Sequence, residues 1–297
     1  LAHRRQRQMC IRDRLYDAEG SRLFAEICKQ PEYTLTNREI ALLELHADAI
    51  AAATGPGMVV EFGIGTARKV DPLLTALGSS VFAALDISLS ALKEALSGLA
   101  TRHPNTTMVG ICCDHTQLNE LPAHPALDRQ RRIGFFPGSS LGNFTPEDAV
   151  AFLRNARQLL AGGPLLLGLD QPREHALMEA AYDDAAGFSA AFALNLLQRL
   201  NRDLQGDADP AQFRYRARWQ EQQQRIEMAL VSTQDQTVHL AGEPWAFQKN
   251  DAWITEHSVK YSPEAAADLA NQAGWRIERR WEDPHQQMAL HLLLPAD

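Results

Sequence analysis

The sequence predicts an α/β fold with a mostly parallel, doubly wound sheet, because short apolar segments alternate with helical ones. Residues 58–62 (Met-Val-Val-Glu-Phe) predict a buried strand that runs directly into the glycine turn Gly63-Ile64-Gly65. Residues 70–77 can then form a helix, which completes a strand–turn–helix unit. The same rhythm continues downstream, and repeated βα units of this kind imply a parallel sheet covered by helices on both faces.

The remaining elements of the first half follow in a regular order. A helix is predicted over residues 37–53, and Gly55-Pro56-Gly57 stops it. Beyond the first unit we expect strands over 81–87, 107–112, 133–136 and 164–169, and helices over 91–99 and 146–160. Glu147 and Asp148 lie in the first turn of the last helix, where the helix dipole favours acids.

The pattern changes between about Arg173 and Ser262. A long Ala-rich helical stretch over 177–204 is followed by strands such as 225–232, so we expect this block to be an insertion. After it come a predicted helix over 263–273, a turn at Gly274, and two strands over 275–281 and 288–294. The two strands predict a closing antiparallel hairpin.

Composition excludes several classes of protein. The 297 residues carry 29 Lys+Arg against 37 Asp+Glu, a net charge of −8, which argues against a nucleic-acid partner. No apolar run approaches the roughly 20 residues of a membrane helix, so no membrane partner is expected. Cys10, Cys28, Cys112 and Cys113 form no C-x-x-C pair, which favours a reducing cytoplasm. The histidines form no H-E-x-x-H motif, and we expect no metal.

Residues 1–14 are rich in arginine and lack the apolar segment of a secretory signal. They could be a basic arm that contacts nucleic acid, but a solvated tail or a non-native segment is favoured because the rest of the chain is acidic. We leave these residues out of the predicted fold.

A candidate cofactor site lies at the first glycine turn. Gly63 and Gly65 would let the backbone approach a ligand, and the carboxylate of Asp86, at the end of the next strand, could accept both ribose hydroxyls. Arg68 occupies the last position of the dinucleotide fingerprint, so a dehydrogenase is disfavoured. Glu61 completes an E-x-G-x-G pattern typical of S-adenosylmethionine-binding sheets; a plain connecting turn is the alternative.

Two further features end strands of the predicted sheet. Asp114 could accept from an adenine amino group or could simply cap a helix. The segment Phe135–Phe144 (FFPGSSLGNF) carries two glycines, two hydroxyls and an amide at the carboxyl edge, where open α/β sheets bind ligands. A tight turn would also explain its hydroxyls, but Asn143 beside Gly142 favours a binding loop.

Seven motifs in order extend this pattern from about Tyr16 to the C-terminus. They are Tyr16-Asp17-x-x-Gly20-Ser21-x-Leu23-Phe24, Pro31-Glu32-Tyr33, Glu61-Phe62-Gly63-x-Gly65, FFPGSSLGN, Ala181-Tyr182-Asp183-Asp184-Ala185-Ala186-Gly187, Arg225-Ile226-Glu227-Met228 and Thr255-Glu256-x-Ser258-x-Lys260-Tyr261. With them the chain resembles the S-adenosylmethionine-dependent L-histidine Nα-methyltransferases of ergothioneine biosynthesis, which form hercynine.

The resemblance implies a Rossmann-like class I methyltransferase sheet, mostly parallel with a C-terminal antiparallel hairpin. It also implies a second, α+β substrate-binding domain, with the substrate between the two. We assign 15–38 and 173–262 to the substrate-binding domain, and 39–172 and 263–297 to the cofactor-binding domain. We expect a cytoplasmic monomer that acts on a small molecule, L-histidine.

The resemblance also implies roles for single residues. The substrate carboxylate would meet Asn143 and Tyr182, and its imidazole would meet Glu256 and Ser258. The remaining substrate contacts would be Tyr33, Gly138 and Met228. The contacts to S-adenosylmethionine would be Tyr16, Gly63, Lys69, Asp86 and Asp114. Tyr16 would lie near the amine and act in catalysis.

Two departures from the family pattern keep other functions open. Ala193 replaces an asparagine found in many members, and His257 replaces a small apolar residue between Glu256 and Ser258. These changes suggest that another free amino acid or a histidine derivative could be the acceptor. A non-catalytic ligand-binding protein and an NAD-dependent dehydrogenase are the alternatives from other classes.

Overall fold

The computed structural model describes residues 15, 17–65, 67–128 and 130–296. These residues form two compact units. The first, termed the sheet unit, consists of Leu35–Pro172 and Lys260 onwards. The second, termed the insertion unit, consists of the described residues up to Thr34 together with Arg173–Val259. Residues 1–14 and Tyr16, for which roles were predicted, lie outside the described residues.

The sheet unit contains one seven-stranded sheet in the order β11-β12-β5-β4-β1-β2-β3. Its strands are β1 Met58–Phe62, β2 Val81–Asp86, β3 Thr107–Cys112, β4 Arg132–Phe136, β5 Leu165–Asp170, β11 Trp275–Glu282 and β12 Met288–Pro295. Strands β1 to β5 pair in parallel, and β12 pairs antiparallel with both β5 and β11. The predicted mostly parallel sheet with a C-terminal antiparallel hairpin is therefore confirmed.

Local sequence signals explain the helices of this unit, which are α2 Leu35–Thr54, α3 Asp71–Leu77, α4 Leu89–Arg102, α5 Pro146–Leu159 and α8 Pro263–Gln272. The hydroxyl of Thr145 accepts from the Asp148 N–H at the start of α5, and Ser262 caps α8 in the same way. Both helices begin with proline, whose missing N–H costs nothing at the first turn. β1 and β5 are buried along their full length, as central parallel strands require.

The predicted alternation of strands and helices is wrong at one point. Between β3 and β4, the described residues form turns and no helix, so the third strand is not followed by a helical crossover. Pro122 and Pro125 lie in this segment and would interrupt a helical run. The segment leads from β3, which pairs with β2, to β4, which pairs with β1.

Within the described residues, the insertion unit combines three α-helices with two small sheets. The helices are α1 Ala18–Ile27, α6 His175–Tyr182 and α7 Phe188–Leu204. A three-stranded antiparallel sheet has the order β10-β7-β6, formed by Ala252–Val259, Arg225–Ser232 and Phe213–Gln220. A separate hairpin pairs β8 Gln236–Leu240 with β9 Glu243–Phe247.

The single long helix predicted over 177–204 is also wrong, because the chain breaks between α6 and α7. Gly187 precedes α7 with a φ of 80°, a left-handed conformation that glycine adopts without strain. Asp184 then accepts hydrogen bonds from the backbone N–H groups of Phe188 and Ser189 at 2.9 and 2.6 Å. Its carboxylate thereby satisfies the exposed donors at the start of α7.

The described residues lack two kinds of feature. None of the helices in that part of the chain is both long and apolar enough to cross a membrane. No group of three or more His, Cys, Asp or Glu among those residues is arranged to hold a metal ion.

Candidate functional site

The glycine turn after β1 is fixed by the side chain of Asp86. Gly63 and Gly65 have φ angles of 78° and 44°. The Gly63 N–H donates to the Leu85 carbonyl at 2.7 Å, and the Ile64 N–H donates to Asp86 Oδ2 at 3.1 Å. Asp86 Oδ1 accepts from the Ser88 N–H at 2.8 Å. A carboxylate has about four acceptor positions, so Asp86 can hold this turn and still accept from a ligand.

Asp114 follows β3 and organises a turn. Its Oδ1 accepts from the Thr116 N–H at 2.9 Å and from the Thr116 hydroxyl at 2.6 Å. No helix begins there, so the alternative of a helix cap is wrong. The side chain is exposed at the carboxyl end of the sheet.

Two charged side chains meet beneath the loop that follows β4. Glu39 of α2 is fully buried, and Lys69 Nζ lies 2.8 Å from its Oε2. The Gly138 N–H donates to both Glu39 oxygens, at 2.8 and 2.9 Å. A Cβ on Gly138, whose φ is 82°, would lie 3.0 Å from Lys69 Nζ. The predicted substrate contact Gly138 and the predicted cofactor contact Lys69 therefore share one carboxylate.

Glu61 is a further acidic residue of this region. It is fully buried, and neither carboxylate oxygen has a hydrogen-bond partner among the described residues. Burial raises the pKa of Glu61 well above its ordinary value of 4.5; Lys69 opposes this, whereas Glu39 and Asp86 add to it. The packing therefore favours the protonated form of Glu61 over the ionised one.

The loop after β4 is tied to the end of β5. The Asp170 N–H donates to the Ser139 hydroxyl at 2.9 Å, and Ser139 itself has a positive φ of 53°. Asp170 Oδ2 lies 2.6 Å from Lys260 Nζ, with both side chains buried. The loop then forms a short 3₁₀ helix, Ser140–Asn143, so that the predicted substrate contact Asn143 ends a rigid turn.

The insertion unit brings together the other predicted substrate residues. The Tyr182 hydroxyl, at the end of α6, lies 2.9 Å from the Ser258 hydroxyl on β10. Glu256 is two residues before Ser258 and therefore on the same face of the strand. Met228 of β7 pairs directly with Glu256 across the sheet and packs with Tyr182. Tyr182, Met228, Glu256 and Ser258 thus converge on one face.

A tyrosine that sequence reasoning missed supports this face. Tyr215 on β6 donates its hydroxyl to the Tyr182 carbonyl at 2.7 Å. Burial raises the pKa of Tyr215 well above 10, and the charges of Asp183 and Glu256 raise it further. Tyr215 therefore stays a neutral donor that holds the last residue of α6.

Aromatic rings extend the site toward α1. Tyr33 is buried and makes edge contacts with Tyr182 and Phe24, at centroid separations of 6.0 and 6.2 Å. Phe24 also packs against Phe192 of α7 at 6.3 Å. Ala193, the departure from the family pattern, is buried beside Phe192.

Comparison with known proteins decides the family. Residues 4–295 match the sequence profile of the histidine-specific, S-adenosylmethionine-dependent methyltransferases. The chain belongs to this family. It is 36% identical over 286 residues to histidine N-alpha-methyltransferase of Mycolicibacterium smegmatis, which covers 93% of this chain and 87% of that protein.

Another relative is longer than this chain. Ergothioneine biosynthesis protein 1 of Neurospora crassa is 31% identical over 292 residues, which is 94% of this chain and 32% of that protein. Among solved structures, the CcbJ methyltransferase of Streptomyces caelestis superposes with a TM-score of 0.50 at 19% identity, covering 89% of this chain and 90% of that one. This likeness supports the methyltransferase fold alone.

The residues of this histidine-specific methyltransferase fit S-adenosylmethionine at the glycine turn. A Cβ on Gly65 would meet nothing within 4 Å, so the turn faces open space. The acceptors at the ends of β2 and β3, Asp86 and Asp114, suit the hydroxyl and amino donors of an adenosyl group. The structure therefore offers a close backbone approach and two carboxylates on the same edge of the sheet.

Proposed function

We propose that the protein transfers three methyl groups from S-adenosylmethionine to the α-amine of L-histidine and so forms hercynine, the first step of ergothioneine biosynthesis. The observation that carries this proposal is the match of residues 4–295 to the histidine-specific family. The polar face formed by Tyr182, Glu256 and Ser258 supports it, because these groups suit a small zwitterion with an imidazole ring.

Recognition of the imidazole is assigned to Glu256 and Ser258. A carboxylate aimed at a ring N–H discriminates strongly, because a substrate without that donor would leave a buried acceptor unpaired. Met228, directly opposite Glu256, would pack against the ring. The Tyr182–Ser258 hydrogen bond supports this assignment, since it fixes the Ser258 hydroxyl before any ligand arrives.

Recognition of the amino-acid backbone is assigned to three other residues. Asn143 and Tyr182 would donate to the histidine carboxylate, and Gly138 would line the pocket without a side chain. The rigid 3₁₀ turn that carries Asn143 lowers the entropy cost of binding. Tyr33 would form part of the pocket wall, with its ring held against Tyr182.

The amine must be neutral to attack and becomes a quaternary ammonium after the third transfer. Tyr16 remains the proposed residue near the amine, with the released proton passing to water either directly or through the Tyr16 hydroxyl. Aromatic faces such as those of Tyr16 and Tyr33 would favour the cationic product by about 0.5–2 kcal/mol each.

The cofactor-binding residues of the proposal are Gly63, Lys69, Asp86 and Asp114, with Tyr16. S-adenosylmethionine, when bound, supplies an electrophilic methyl group on a sulfonium. The task of the chain is mainly alignment: Gly63 gives close backbone approach, and Asp86 and Asp114 hold the adenosyl group in one orientation. We also propose a cytoplasmic monomer without a metal, from the cysteine and histidine patterns of the sequence.

Mass spectrometry of histidine incubated with the purified protein and S-adenosylmethionine tests the function. We expect the parent to add up to three methyl groups, and Glu256→Ala to lower kcat/KM for histidine by about 10–100-fold, equivalent to the 1–3 kcal/mol of an unpaired polar group. Glu94→Ala, which changes an exposed glutamate of α4, is the matched control.

A parallel competition across free amino acids addresses the alternative acceptors suggested by Ala193 and His257. Methylation of another amino acid in preference to histidine would reject the proposed substrate but retain the reaction class. Cofactor binding without turnover of any acceptor would favour a non-catalytic ligand-binding protein.

A further inference from the structure

The buried carboxylate of Glu39 contacts parts of the sheet unit that the proposed function assigns to different ligands. Its two oxygens accept from the Gly138 N–H, and one of them also binds Lys69 Nζ. Gly138 belongs to the loop that carries Asn143, whereas Lys69 is a proposed cofactor contact. Glu39 itself is fully buried on α2, so it is placed to hold the protein and not to meet solvent.

The strand behind Glu39 is shaped to admit this carboxylate. A Cβ built on Gly168 of β5 would lie only 1.9 Å from Glu39 Oε1, a distance that no side chain can tolerate. Glycine at this position therefore leaves the space that Glu39 occupies. The carboxylate is confined between β5, the Gly138 backbone and the Lys69 ammonium.

The neighbours of Glu39 compensate for the burial of its carboxylate. A buried carboxylate requires a counter-charge and hydrogen bonds, and Lys69 with the Gly138 amide provides both. Neighbouring Glu61 has no such hydrogen-bond partner among the described residues, and burial raises its pKa. Glu39 is therefore the acid of this cluster that an amide and an ammonium group hold in place.

We propose that Glu39 is a positioning residue for methyl transfer, which fixes the Gly138–Asn143 loop and the Lys69 ammonium through one shared carboxylate. This inference rests on the proposed function, because it takes that loop and Lys69 as substrate and cofactor contacts. Glu39 acts through these neighbours and does not touch either ligand.

The decisive variant is Glu39→Gln, which keeps the shape but loses the charge and replaces one acceptor oxygen by an N–H donor. We expect its Kd for S-adenosylhomocysteine, measured by calorimetry, to rise about 10-fold or more, and kcat/KM for histidine to fall on the order of 100-fold, as small misplacements of aligned groups do. Glu44→Gln, an exposed change on the same helix, should match the parent in both measurements.

Hydrogen exchange separates positioning from general destabilisation. We expect faster amide exchange in a peptide spanning residues 136–143 of Glu39→Gln, at a temperature where circular dichroism shows both proteins folded. Parent-like Kd and parent-like exchange in that variant would overturn the proposal. Should Glu39→Gln fail to fold, Gly168→Ala takes its place, because the added methyl group displaces the same carboxylate, and the same two criteria apply.

Failure of the proposed function would look different. A parent protein that binds S-adenosylhomocysteine but never methylates histidine would reject the substrate assignment. The comparison of Kd and amide exchange between Glu39→Gln and Glu44→Gln would still decide the role of Glu39.

Discussion

At the scale of single residues, two buried glutamates show how packing gives the same side chain different surroundings. Glu61 and Glu39 are both fully buried glutamates, but Glu39 has an ammonium and an amide as partners, whereas the oxygens of Glu61 have no hydrogen-bond partner among the described residues. The sequence shows two ordinary glutamates. Only the packing distinguishes them: burial, which penalises the ionised form, raises the pKa of Glu61, whereas the carboxylate of Glu39 is paired.

The raised pKa of Glu61 predicts a pH-dependent stability. Its pKa is raised in the folded protein, so the stability linked to its proton is fully present below the unfolded value near 4.5 and is lost as the pH rises through the folded pKa. Glu61→Gln keeps a neutral side chain at every pH, so its stability should not show this loss. In that window the free energy of unfolding of the parent should fall relative to that of Glu61→Gln by up to about 1.4 kcal/mol per pH unit. Urea denaturation of both proteins over a pH series measures the difference.

A constant gap between the two proteins from pH 5 to pH 9 would show that Glu61 does not change its protonation on unfolding. Glu44→Gln again serves as a control, because it makes the same change at an exposed glutamate.

At the scale of elements, the break between α6 and α7 shows how two adjacent acids take opposite roles. Burial alone would raise the pKa of Asp184, but hydrogen bonds from Ser189 and Phe188 outweigh it and hold the pKa below its ordinary value. Partial desolvation, followed by the charge of Asp184, raises the pKa of Asp183. Asp184 therefore stabilises the start of α7, whereas Asp183 is under repulsion.

These opposite shifts predict opposite effects of the same substitution. Asp184→Ala leaves two N–H groups of α7 without their acceptor and should cost about 1–3 kcal/mol in the free energy of unfolding at neutral pH. Asp183→Ala should cost nothing measurable or stabilise slightly. Denaturation curves of the two variants, with hydrogen exchange of residues 186–192, test the contrast; equal losses would contradict it.

The stabilising effect of Asp184 should also disappear in acid. Because its folded pKa is depressed, its contribution is present above the unfolded value near 3.8 and is lost as the pH falls through the folded pKa. The stability difference between the parent and Asp184→Ala should therefore shrink below about pH 4.

Elements whose apolar residues follow a simple pattern could be predicted from the sequence. A boundary between two helices that depends on a single turn could not. The bounds predicted for the first strand and for 225–232 agree with β1 and β7 as observed. A short buried apolar run determined β1, and the alternation of Ile226, Met228 and Leu230 determined β7. The break after Tyr182 was missed because the residues on both sides favour helix, and only the Asp184 hydrogen bonds and the positive φ of Gly187 reveal it.

At the scale of the whole molecule, ligands are expected to stabilise the folded protein by mass action. S-adenosylhomocysteine at about 100 times its Kd should add about 2.7 kcal/mol to stability and raise the melting temperature accordingly. NAD at the same concentration should leave the melting temperature unchanged, because Arg68 replaces the last glycine that a pyrophosphate site requires. Thermal denaturation with each ligand measures both; stabilisation by NAD alone would reverse the cofactor assignment.

The sequence by itself determined the parallel sheet, its closing hairpin and, through seven ordered motifs, the family. These features depend on local periodicity and on short spacings that one chain displays directly. Only the tertiary structure decided that Glu39 joins Gly138 to Lys69, that Tyr215 holds Tyr182, and that Asp170 pairs with Lys260. Each of these contacts joins residues distant in sequence, and burial, which no local pattern encodes, sets their charge.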